Sequence, residues 1–95
     1  MPLPTAAAIA SCFEKEGASP VEKGKSPDGE IVSGLASDKA FLKVVITDDQ
    51  ALTEELIDRE GGSGATAFEL AEGRVFGLTS GSQADKALIV DCVEV

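Results

Sequence analysis

Histidine, tyrosine, tryptophan and asparagine are all absent from this chain, and four phenylalanines are its entire aromatic content. Without histidine there is no imidazole base, no Ser-His or Cys-His nucleophile pair and no histidine ligand for zinc or haem. Any base has to be a carboxylate or a lysine, so most hydrolase layouts are excluded and the expectation is a non-enzyme. The lack of asparagine removes every N-glycosylation acceptor. No run approaches the roughly 18 apolar residues needed to span a bilayer, so the chain is expected to be soluble, without a membrane partner. Ile9-Ala10-Ser11-Cys12 looks like a lipoprotein processing site, but no Lys or Arg precedes it and its apolar run is short and Ala-rich, so that reading is set aside.

Ninety-five residues make one domain, with an expected radius of gyration of about 12 Å. The net charge is −9, and segment 48–72 supplies −7 of it through eight acids against Arg59 alone. Both flanks are near neutral, with six acids and five bases before this segment and three acids and two bases after it. Such acidity repels phosphate backbones and anionic membranes, so direct nucleic-acid binding is disfavoured. It favours a basic protein surface, a cation, or simple solubility. Cys12 and Cys92 would stabilise the fold by about 4 kcal/mol if bonded. No secretory signal is apparent and Cys92 lies within an apolar run, so two buried, reduced thiols are the expectation.

Along the chain, Pro2 and Pro4 argue for an extended N-terminal arm over 1–8, with a single domain over 9–95. Thr5 can cap a short helix through about Glu16 with Ile9 and Phe13 on one face, although 8–13 could equally run as a strand. Segment 17–29 is dense in turn dipeptides and reads as a loop. Strands are predicted over 30–35 and 40–47, joined as a hairpin at Ser37-Asp38-Lys39. A helix follows over about 49–60, capped by Thr47 or Asp49 and stopped by Gly61-Gly62, with Ala51, Leu52, Leu56 and Ile57 as its apolar stripe. Glu55 and Arg59 are spaced to pair along it. A second hairpin over 65–71 and 74–79 turns at Glu72-Gly73, and 87–95 reads as a central final strand with Asp91 out of pattern. The assembled expectation is a small α+β domain built on a mainly antiparallel sheet of about five strands.

Few motifs point to chemistry. Gly24-Lys25-Ser26 resembles the end of a phosphate loop, but the preceding glycine is wrongly spaced and Pro27 stands where a helix should begin. Gly62-x-Gly64-x-x-Ala67 follows a helix and opens a strand, the reverse of a dinucleotide fingerprint. Asp48-Asp49 and Glu54-Glu55 are clustered carboxylates, yet no array of alternating oxygen donors for calcium is present. No cofactor or metal is therefore expected. Asp58 and Glu60 sit at the helix end that disfavours negative charge, which suggests that Glu54, Glu55, Asp58 and Glu60 face a partner.

A small, acidic, β-rich chain with a Pro-containing arm and no catalytic constellation resembles, in overall character, the phage capsid decoration (cement) proteins. The resemblance implies a structural subunit of the virion that grips a major capsid protein through the arm, here Pro2, Leu3, Pro4 and Thr5, and through one sheet edge. It also implies grouping of copies about a local symmetry axis. The alternative is an acidic, nucleic-acid-mimicking inhibitor of the anti-defence type, with its acidic face in a basic protein groove. Outside the virion, the expected location is cytoplasmic.

Overall fold

The computed structural model describes residues 3–61 and 64–94. In chain order these form α1 (Ala6–Lys15), β1 (Val21–Ser26), β2 (Gly29–Leu35), β3 (Phe41–Ile46), α2 (Gln50–Glu60), β4 (Thr66–Leu70), β5 (Val75–Thr79) and α3 (Gln83–Val93). The strands make one sheet in the order β1-β2-β3-β5-β4, with every neighbouring pair antiparallel. Helices α1 and α3 cover one face, and α2 covers part of the other. The radius of gyration is 11.8 Å.

Strand β3 lies at the centre because its side chains are apolar in both directions. Leu42 and Val44 are fully buried towards α1 and α3, and Val45 is buried towards α2. Fully buried Val32, Val75, Ile9, Phe13 and Ile89 complete the larger core, and Leu56, Phe76 and Leu78 form the smaller one with Val45. Glycines at positive φ help to close two of the three hairpins. At the first residue of β2, Gly29 has φ 143° and a Cβ there would meet the Ile46 carbonyl. Between β4 and β5, Ala71, Glu72 and Gly73 all adopt positive φ, so the hairpin expected at Glu72-Gly73 is present.

Helix α2 begins where Asp49 accepts hydrogen bonds from the Ala51 and Leu52 amides at 3.0 and 3.3 Å, and Gly61 ends it. Asp49, not Thr47, is therefore the cap. The Thr47 hydroxyl lies 2.6 Å from that of buried Thr53, which donates to the Asp49 carbonyl at 3.1 Å. Thr53, and not exposed Ala51, completes the inward stripe with Leu56.

Four expectations need correction. Segment 87–95 is not a strand: its described residues belong to α3 and its cap, entered through a capping box of Ser82 and Asp85. Asp85, Ile89, Cys92 and Val93 are buried at helical spacing, which leaves Asp91 facing solvent. Segment 17–29 is not all loop. It contains β1, whose four central residues are exposed and whose place is held by its ladder to β2. No extended arm is seen over 3–8. Thr5 accepts from the Ala8 amide at 3.1 Å, α1 starts at Ala6, and Leu3 packs on the core. The cysteines are not free thiols. Helices α1 and α3 pack side by side, bringing the Cys12 and Cys92 Cα atoms to 5.5 Å, and a disulfide joins them. Pro2, Gly62 and Val95, named in the sequence expectations, lie outside the described residues.

Candidate functional site

The acids singled out on α2 divide by their position round the helix. Glu54, Glu55 and Asp58 are exposed on one outward stripe, whereas Glu60 is half-buried. Glu55 does not pair with Arg59, because Arg59 turns instead to Asp28 of the β1–β2 turn at 3.4 Å. Asp48, at φ 52°, meets Arg74 at 2.7 Å. The acidic segment therefore resolves into a cap, two exposed ion pairs and a solvated stripe. At the N-terminus, Leu3 and Pro4 are half-buried and Thr5 is a cap, so the structure does not bring these residues together with the α2 acids as one surface. The two glycine motifs dissolve as well: Gly24-Lys25-Ser26 is part of β1, and Gly64, at φ 85°, leads into β4.

A different surface stands out on the sheet. Helix α2 packs against β4 and β5, so the face it shares with β1, β2 and β3 is left partly bare at the end where Pro20, Leu35 and Phe41 meet. There, Pro20 and Glu22, Ser33 to Leu35, and Phe41 line an open groove of about 240 Å³. Leu35 is 39% exposed, the one large apolar side chain so placed among the described residues. The groove adjoins β1, an edge strand with no strand on its outer side among the described residues. In the β1 register, Lys23 lies opposite Val32 and Lys25 opposite Glu30, while Glu22 lies opposite Ser33. Side chains alternate across a strand, so both lysines point to the α1 side and Glu22 points to the groove side.

Two carboxyl groups lie at this end of the sheet. Asp38, in the β2–β3 turn, accepts from the Ala40 amide at 2.9 Å. Asp85, only 5% exposed, accepts from the Ser82 amide at 3.0 Å. Burial, followed by the influence of the Asp38 carboxyl, pushes the Asp85 carboxyl above the ordinary aspartate range. The Ala40 amide, followed by Asp85, holds Asp38 below it. A Cβ on Gly81 would overlap the Asp85 carboxylate, so only glycine lets the β5–α3 loop close over this acid.

Among the described residues no group of three or more Cys, Asp or Glu side chains is arranged to hold a metal, and no buried side-chain polar atom lacks a partner. No described helix is long and apolar enough to cross a membrane. What this surface offers is contact: apolar area, open backbone groups and charge. Sequence periodicity missed it because Leu35 and Phe41 read as ordinary strand residues and β1 read as loop. No family model, curated protein or solved structure matches this chain.

Proposed function

We propose that this chain is a non-enzymatic binding module that takes an extended segment of a protein partner along β1, with apolar residues of that segment entering the groove at Leu35 and Phe41. The observation that supports it most is the juxtaposition of an unpaired sheet edge with an exposed leucine beside an open apolar groove. Strand addition draws affinity from main-chain hydrogen bonds and selectivity from alternate side chains. Lys23 and Lys25 project to the opposite side of the edge, so the matching segment alternates apolar residues with acidic ones. The same lysines deter indiscriminate edge pairing. The disulfide favours an oxidising compartment over the cytoplasm. A decoration subunit on a virion shell, with a capsid protein as partner, is one setting for such a module, with the sheet edge in place of an arm.

The outward acids Glu54, Glu55 and Asp58 support a second reading, in which α2 meets a basic protein groove as a nucleic acid would. Replacing them by Gln, Gln and Asn would then weaken binding and flatten its salt dependence. The two readings separate in a selection from a displayed random-peptide library. Strand addition predicts apolar–acidic alternation among the selected peptides and loss of their binding in Leu35→Glu. Basic peptides that bind Leu35→Glu undiminished would overturn it.

A further inference from the structure

The bare end of the sheet carries an acid, a hydroxyl and a base in one row across three strands. Glu22 of β1 lies opposite Ser33 of β2, which lies opposite Lys43 of β3. Side chains directly opposite in an antiparallel ladder project from the same face, here the face on which α2 packs against β4 and β5. The next row towards the β2–β3 turn holds Leu35 opposite Phe41. Pro20 stands beside Leu35 in that row, where the Ser19 amide donates to the Leu35 carbonyl at 2.8 Å. Of the side chains that β1, β2 and β3 turn to this face, Glu22 and Lys43 alone are ionisable. They stand two strand spacings, about 9.6 Å, apart, and neither has an ion-pair partner among the described residues.

We propose that this face pairs with the same face of a second copy of the chain, about a two-fold axis that runs along β2 between the two sheets. Such an axis exchanges what lies on the β1 side of β2 with what lies on the β3 side, as an isologous contact requires. Glu22 of each copy then faces Lys43 of the other, and Phe41 faces Pro20. Ser33 and Leu35, both on β2, meet their own counterparts at the axis. Opposite charges and apolar residues therefore match in both rows at once. Two sheets packed face to face stand about 10 Å apart, a gap that a glutamate and a lysine bridge from opposite sides.

The same axis lays β1 of the second copy over β3, alongside α2. Gly24 then comes over Val45, which α2 already covers, and a residue without a side chain fits there. Lys23 and Lys25 come to the side of the helix that bears Glu54, Glu55 and Asp58, so the net charge of −9 on each copy is offset where the two meet. The contact is small, so association is weak and is measured at high concentration. It does not depend on strand addition. Because it covers Leu35 and Phe41, a second copy and a bound segment compete for the groove.

The test is charge exchange, read by sedimentation of concentrated protein, with amide NMR spectra confirming that each variant is folded. Glu22→Lys and Lys43→Glu each place like charges at both symmetric contacts, and each should weaken self-association by about tenfold or more. An equimolar mixture of the two variants restores opposite charges at both contacts and should associate as the wild type does. In that mixture the Leu35 methyl resonances of one labelled variant should shift when the unlabelled other is added. A wild type that stays monomeric at high concentration, variants that associate undiminished, or a mixture no stronger than its parts would each overturn the proposal. No peptide enters these measurements, so their failure leaves strand addition untouched, and failure of peptide binding leaves the dimer untouched.

Discussion

Replacing both cysteines by alanine removes the one covalent link between α1 and α3. The bridge spans a sequence separation of 80 residues, for which the chain-entropy relation gives about 4.5 kcal/mol at 25 °C. Cys92 is 5% exposed and belongs to the core, so trimming its sulfur adds roughly a further 1 kcal/mol of lost packing. Against a total stability of about 5–15 kcal/mol for a single domain, the bridge is a large share of what keeps this one folded. At about 2.1 cal/mol/K per residue, the 95 residues unfold with an entropy of about 0.2 kcal/mol/K, so Tm should fall by about 25–30 °C. The loss acts mainly through the unfolded chain, which becomes freer to expand. The urea m-value should therefore rise while the native spectrum stays the same. Calorimetry and urea titration of the wild type, with and without reductant, and of the double variant measure all of this, and thiol labelling counts free cysteines before reduction. A Tm shift below about 5 °C, or two reactive thiols in the unreduced native protein, would refute the reasoning and with it the argument for an oxidising compartment.

Three further substitutions probe the packing. Phe13→Ala empties a fully buried site beneath α1 and should cost about 3–5 kcal/mol in urea-derived stability. Thr53→Val keeps the shape of a buried side chain but removes its bonds to Thr47 and to the Asp49 carbonyl; a loss of about 1 kcal/mol is expected, and a gain would show that the polar contact is unfavourable. Asp58→Asn removes an exposed charge from the end of α2 where the helix dipole disfavours it and should raise stability by a few tenths of a kcal/mol, an effect that shrinks in high salt.

The sequence exposes this fold best where one signal acts alone. Apolar density marks β3, the Gly stop and capping acids mark α2, and alternation with a tight turn marks the β4–β5 hairpin. It fails where tertiary context overrules composition. Strand β1 carries Glu22, Lys23, Gly24 and Lys25, residues that suit an edge facing water, and its place comes from pairing with β2. In α3 the run Ala87 to Val90 imitates a buried strand. The signals of a helix were nevertheless present in the Ser82-x-x-Asp85 capping box and in Ile89, Cys92 and Val93 at helical spacing. Misassigning that helix also hid the disulfide, since only two helices packed on the same face bring the cysteines together. The groove was illegible for a related reason. It depends on how far α2 reaches across the sheet, a quantity that no local pattern of residues contains.

The central claim is that an extended segment adds to β1, and amide hydrogen exchange across the whole domain tests it most directly. With a selected apolar–acidic peptide bound, the β1 amides turned away from β2 should gain protection, together with the amides of Leu35 and Phe41, while the α2 amides stay unchanged. Protection confined to α2, or bound peptide with no change along β1, would contradict it.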